Sequence, residues 1–221
     1  MIDFKLLSNC SLFNEIHANE YEHLLKCLNA RIKHYKKEDI IIKPGDKIHE
    51  LGVLMKGNIH ILNYDFWGNR TIQNELREGE LFAEAYACNP TTAFESFVVA
   101  AQDCEVLYLD VRSIVTPCPN ICTFHVLLSK NLLRITSSKN ILLTRKIAHL
   151  SKRTTREKIL SYLQDIDNNE HSINFTIPFN RQELADYLCV DRSALSNELS
   201  KMKNEGLIDF DRNRFKLINS R

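Results

Sequence analysis

The sequence predicts an α+β chain in which a small antiparallel β-sandwich or barrel is followed by a long helix and then a winged helix-turn-helix. Three observations carry the prediction. Five of the six glycines, Gly45, Gly52, Gly57, Gly68 and Gly79, fall within 35 residues. From Pro117 to Gly206 there is no glycine, and the first part of that stretch carries a heptad-like apolar pattern. Beyond it, two short capped helices precede an alternating hairpin.

The glycines punctuate short apolar stretches, Ile40-Ile41-Ile42, Val53-Leu54-Met55 and Ile59-His60-Ile61-Leu62, with further strands expected over 96–101 and 105–110. Evenly spaced short strands bounded by Gly turns indicate an antiparallel sandwich or barrel. Ahead of them, Ile16, Leu24, Leu25 and Leu28 have helical spacing. After residue 117, Leu128, Leu132, Ile135 and Leu142 step by 4, 3 and 7, a coiled-coil-like seam on one long helix over 119–150. That seam is expected to meet the same helix of a second subunit, although packing along its own barrel is compatible with a different face.

The C-terminal third is punctuated by caps. Thr154 followed by Glu157 forms one capping box, and Asn180 followed by Glu183 repeats it before Leu184, Ala185 and Leu188. Asp191 caps a third helix with Leu195, Leu199 and Met202 on one face, ending at Gly206. Only Cys189-Val190 separates these two helices, a helix-turn-helix, and residues 207–210 and 215–218 alternate around Asp211-Arg212-Asn213-Arg214 as a wing. The expected division is 1–116 for the β-rich domain, which the family resemblance described below makes an effector-sensing one, 117–150 for a dimerisation helix and 151–221 for a DNA-binding domain.

Charge divides along the same line. The formal net charge is +1, yet residues 1–128 hold 12 basic against 17 acidic side chains, while 129–221 hold 17 against 11. Such asymmetry points to a polyanion partner for one half only. Residues 161–221 alone hold 8 basic and 10 acidic side chains, so affinity is expected to rest on a few placed cations. No apolar run reaches the roughly 18 residues of a membrane span, the start lacks a signal-peptide pattern, and the odd count of seven cysteines fits reduced thiols. A cytoplasmic protein without membrane contact is expected.

Barrel, long helix and winged module in this order resemble the CRP/FNR family of bacterial transcription regulators. The resemblance is carried by Arg181-Gln182-Glu183-Leu184-Ala185, Asp191-Arg192-Ser193-Ala194-Leu195 and Gly206-Leu207-Ile208, and in the barrel by Met55-Lys56-Gly57-Asn58-Ile59 and Gly79-Glu80-Leu81-Phe82-Ala83-Glu84. It implies a cyclic-nucleotide-binding-like (cupin/jelly-roll) barrel, a homodimer on a palindromic double-stranded DNA operator, RNA polymerase as a possible further partner, and no enzymatic activity. In such modules the second helix offers its N-terminal side chains to base edges in the major groove. Here those are Arg192, Ser193, Ser196 and Asn197, with Arg192 suited to guanine and Asn197 to adenine. Arg181 and Gln182 match the family's backbone contacts, and Arg212, Arg214 and Lys216 make a basic wing. Lys152, Arg153, Arg156 and Lys158 are expected to add electrostatic attraction. Cys189 stands at a turn position where glycine is usual, and Glu198 where many relatives are apolar.

The family's cyclic-nucleotide binders place Arg then Ser against the ligand phosphate. This sequence has Phe94-Glu95 at the ungapped equivalent, a shift of one residue puts Glu95 on the arginine's position instead, and residues 78–111 contain seven acids and no Lys or Arg. A desolvated phosphate without countercharge is strongly unfavourable, so the effector is expected to be an unidentified small molecule other than a cyclic nucleotide, near Glu84, Phe94, Glu95 and Ile135. No cofactor is expected. Cys10 and Cys27 lack iron–sulfur ligand spacing. Cys118, Cys122 and His125, at i, i+4 and i+7, share a helix face and suggest an alternative thiol- or metal-responsive control, against which stands ordinary packing and capping. A cupin-type enzyme lacks its His-x-His pattern. Phe66-Trp67-Gly68-Asn69 marks an exposed aromatic turn, suited either to contact another element or to fold against its own barrel.

Overall fold

A computed structural model describes residues 4–64, 66–68, 70–116, 122–170 and 174–218. In chain order the elements are α1 (Phe4–Asn9), α2 (Tyr21–Cys27), β1 (Arg31–Tyr35), β2 (Ile40–Ile42), β3 (Glu50–Lys56), β4 (Ile59–Tyr64), β5 (Arg70–Leu76), β6 (Leu81–Phe82), α3 (Glu84–Cys88), β7 (Phe97–Ala100), β8 (Cys104–Asp110), α4 (Val111–Val115) and α5 (Thr123–Leu150). The chain continues with α6 (Thr155–Glu170), β9 (Phe175–Thr176), α7 (Arg181–Leu188), α8 (Arg192–Asn204), β10 (Ile208–Asp211) and β11 (Arg214–Leu217). Contacts divide it into two compact units, residues 1–138 and 139–221, with α5 contributing to both.

In the first unit, two four-stranded antiparallel sheets, β1-β8-β3-β6 and β2-β7-β4-β5, form the expected jelly-roll-like barrel. Strand alternation gives β3 and β8 two apolar faces. Leu51, Val53, Met55, Leu107 and Leu109 pack against the helices, among Leu24, Leu28 and Ile114, whereas Leu54, Val106 and Tyr108 pack inward with Ile59, Phe82 and Val98. Burial on both faces explains why Val53-Leu54-Met55 reads as continuous apolar sequence. Two glycines are required by contact: a Cβ on Gly52 would lie 2.3 Å from the Phe82 ring, and one on Gly57 would lie 2.6 Å from the Asp103 carbonyl oxygen. Strand β5 had no sequence signal, because six of its seven side chains are exposed and it edges its sheet.

The sequence seam on α5 needs correction. Leu128 and Leu132 are 0% and 4% exposed and belong to the helix-side core of their own unit, with Ile135 packed against it. The 4-3 step therefore records burial within the chain over this stretch. Asn131, also buried, donates from Nδ2 to the carbonyls of Leu12 and Asn14 at 3.0 and 2.8 Å, tying α5 to the turn after α1. Of the expected seam only Leu142 is exposed, and the outward apolar side chains of α5 are Val126, Leu133, Ile141, Leu142, Leu143 and Ile147.

In the second unit, α6, α7 and α8 enclose a core of Ile159, Leu163, Leu184, Leu188, Leu195, Leu199 and Met202. A three-stranded sheet, β10-β11-β9, closes it with Phe175, Ile208 and Phe215. The expected wing is β10–β11, and β9 adds a third strand through Phe175 opposite Phe215.

Candidate nucleic-acid interface

Both helices of the helix-turn-helix begin as their caps dictate. The Asn180 side chain accepts from the amides of Gln182 and Glu183, while Glu183 accepts from the Asn180 amide at 2.7 Å. Asp191 accepts from the amides of Ser193 and Ala194 at 2.8 and 3.1 Å and from the Ser193 hydroxyl. The Ser193 hydroxyl and these amides hold the Asp191 carboxyl below its usual range. Thr154 and Glu157 make the reciprocal bonds that open α6.

With Leu195, Leu199 and Met202 buried, Arg192, Ser193 and Asn197 are exposed at the start of α8 and Ser196 is half-buried. The Ser193 hydroxyl already donates to Asp191, so its role in the free protein is that of a capping residue. On the wing, Arg212, Arg214 and Lys216 are exposed, while Phe215 between the last two points inward. Gln182 is exposed and donates to Asp186 at 2.9 Å. Arg181 is half-buried, its guanidinium 4.8 Å from the Phe210 ring centre and 5.1 Å from that of Phe215, so it anchors the wing through cation–π contact. Burial lowers its pKa from the usual arginine value.

Two of the four expected electrostatic contributors are engaged inside the unit. Arg156 binds Glu205 bidentately at 2.7 and 2.8 Å and also Glu198, and these carboxylates raise its pKa further above the ordinary value. The pairing explains the acid at position 198: it joins α6 to α8. Lys158 donates to the carbonyls of Leu188 and Cys189 at 3.1 and 3.5 Å, covering the C-terminal end of α7. Lys152 and Arg153 remain exposed. The cue for Arg156 in the sequence was Glu198 itself; nothing in the sequence pointed to the roles of Lys158 or Arg181.

Family matches follow the two units. Residues 32–116 match the cyclic nucleotide-binding domain, and residues 157–220 match the Crp-like helix-turn-helix domain, together 149 of 221 residues. The chain belongs to the CRP/FNR family of transcription regulators. Among solved structures, a CooA mutant from Carboxydothermus hydrogenoformans matches with 19% identity over 89% of this chain and 86% of that one, TM-score 0.53. An OCPA-complexed CprK variant matches with 17% identity over 90% of each chain, TM-score 0.55. The N-terminal domain of a transcriptional regulator from Streptomyces coelicolor matches with 16% identity over 62% of this chain and 94% of that one, TM-score 0.52. At these identities the likeness is one of fold. No curated protein matches the chain.

Within this CRP/FNR-type barrel, the expected effector residues do not share one environment. Glu84 is buried at the first turn of α3, and Phe94 is buried in the inner core with its ring 4.6 Å from that of Tyr86. Glu95 is exposed, and Ile135 packs against the helix-side core. Of the metal or thiol candidates, Cys118 lies outside the described residues. Cys122 Sγ lies 4.0 Å from His23 Nε2, and His125 Nε2 lies 3.2 Å from Cys27 Sγ. Among the described residues no group of three His, Cys, Asp or Glu is placed to hold a metal ion. At the aromatic turn Phe66 and Trp67 are 95% and 82% exposed, their rings meeting edge to face; Asn69 lies outside the described residues. No described helix is long and apolar enough to cross a membrane.

Cys189 sits between α7 and α8 in the left-handed region, φ 49° and ψ 57°, where a side chain costs about 1–2 kcal/mol relative to glycine. Cys189→Gly is therefore expected to stabilise the second unit by up to about 1 kcal/mol, after the extra flexibility glycine gives the unfolded chain is subtracted. Urea unfolding followed by circular dichroism measures it, and a loss of stability would show that the Cys189 side chain contributes more than its backbone strain.

Proposed function

We propose that this CRP/FNR-type DNA-binding regulator is a homodimer whose α8 reads a palindromic operator through Arg192 and Asn197, with Ser193 and Ser196 beside them. The division of labour follows the expected one: residues 1–116 sense an effector, 117–150 dimerise and 151–221 bind DNA. The observation carrying this reading is the rotation of α8. Burial of Leu195 and Leu199 leaves Arg192 and Asn197 outward at its N-terminal end. Arg212, Arg214 and Lys216 supply phosphate contacts from the wing, with Gln182 joining them from α7. Arg181 supports the same surface from beneath by holding the wing aromatics. Arg192→Ala should weaken specific binding by about 1–3 kcal/mol and leave non-specific binding nearly unchanged. Titration of selected operator and scrambled DNA measures both, and equal loss on the two would remove Arg192 as a base reader.

Dimerisation is supported by the apolar side chains that α5 leaves in solvent. Six large ones, from Val126 to Ile147, are more than half exposed in the single chain, and a second copy of the helix is the partner that would cover them. The double substitution Leu142→Glu with Leu143→Glu should convert the protein to the mass of a monomer in sedimentation equilibrium. Persistence of the dimer would place the interface elsewhere.

The effector is a small molecule without a phosphate. Support comes from the absence of Lys and Arg over residues 78–111 and from Phe94 and Glu95, neither of which could replace the family's phosphate-binding arginine, Phe94 filling the inner core. Calorimetric titration with cyclic AMP should give no binding heat, and micromolar affinity would overturn this reading. RNA polymerase is the further partner expected of a regulator of this type.

A further inference from the structure

Two cysteines and two histidines meet between α2 and the start of α5. His23 and Cys27 are one helical turn apart on α2, and Cys122 and His125 are three residues apart at the entry to α5. They pair crosswise, Cys27 with His125 at 3.2 Å and His23 with Cys122 at 4.0 Å. His125 is 5% exposed and its Nδ1 has no hydrogen-bond partner. A buried structural imidazole ordinarily has its polar atoms satisfied, and an orphaned one calls for a chemical explanation. Here the nitrogen that does have a neighbour faces sulfur. The rings of His23, Phe124 and His125 follow one another at centroid distances of 5.7 and 4.9 Å, which covers one side of the group. On another side, a cleft of about 530 Å³ lined by Asn19, Glu22, His23, Lys26 and Cys27 opens to solvent.

We propose that Cys27 is a reactive thiol activated by His125, and that it is a site of modification by small hydroperoxides. His125 Nε2 takes the thiol proton. The thiolate attacks one peroxide oxygen, and the S–O bond forms as the O–O bond breaks. The departing hydroxide takes the proton from His125 and leaves as water. Sulfur is oxidised by two electrons to the sulfenic acid, and hydrogen peroxide, the oxidant, is reduced to water. The half-buried sulfur selects for a small oxidant arriving through the cleft. By contrast, burial pushes the Cys10 and Cys104 thiols up to about 11, which keeps them protonated and unreactive at neutral pH. The proposal relocates the thiol-responsive control suggested by sequence from Cys118 and Cys122 to Cys27, and it is independent of how the protein reads DNA.

The test exposes the reduced full-length protein to hydrogen peroxide at neutral pH, traps sulfenic acid with dimedone and quantifies each cysteine peptide by mass spectrometry. Cys27 should be oxidised at least about tenfold faster than the exposed Cys189 in the same molecule. His125→Asn should remove that advantage while leaving the Cys189 rate unchanged, and His23→Asn should leave the Cys27 rate unchanged. A Cys27 rate equal to or below that of Cys189 in the unaltered protein overturns the proposal. So does a folded His125→Asn variant reacting at the original rate. Should that variant fail to fold, the comparison of Cys27 with Cys189 within the unaltered protein still decides.

Discussion

Burial of Leu195, Leu199 and Met202 beneath α8 is the constraint on which the second unit depends. These positions lie on one helix face, so enclosing them in the core sets the rotation of α8 about its axis. Once that rotation is set, Arg192 and Asn197 are outward by necessity, and Leu184 and Leu188 of α7 complete the same core. The polar contacts refine what burial has decided. Asp191 starts α8, Lys158 covers the end of α7, and Arg156 ties α6 to Glu198 and Glu205. Two of these charges, Lys158 and Arg156, which the sequence assigned to electrostatic attraction, are thereby structural.

The same logic gives α5 two kinds of apolar face. Around Leu128 and Leu132 the adjacent barrel and α2 offer apolar surface, and the helix is consumed by its own unit. Asn131 reinforces that attachment because its buried amide donates to two backbone carbonyls of the turn after α1. Farther along, Ile141, Leu142, Leu143 and Ile147 stay in solvent in the isolated chain. A heptad step alone does not distinguish these cases, since packing on a barrel and packing on a partner helix impose similar periodicities.

Much of the barrel was legible for a simple reason. Strands β3, β4, β7 and β8 are rich in buried apolar side chains, and Gly57 marks the turn between β3 and β4. Strand β5 was invisible because exposed Arg70, Thr71, Gln73 and Asn74 have no face to advertise, and β9 because two residues carry no period. In the first unit the charge deficit over residues 78–111 was readable by counting, but the separation of Phe94 from Ile135 into different cores was not. Nor was the pairing of Cys27 with His125, which lie 98 positions apart.

By itself the sequence determined the local events: where helices begin, which residues form the wing, and which face of α8 is apolar. Each of these is decided within a few residues, by a capping side chain competing for nearby amides or by alternation along a strand. Tertiary structure alone decided which charges are spent internally, which part of the α5 stripe is already covered, and which thiol meets an imidazole. Those outcomes depend on what a distant segment offers to the same side chain, and short-range periodicity carries no record of it.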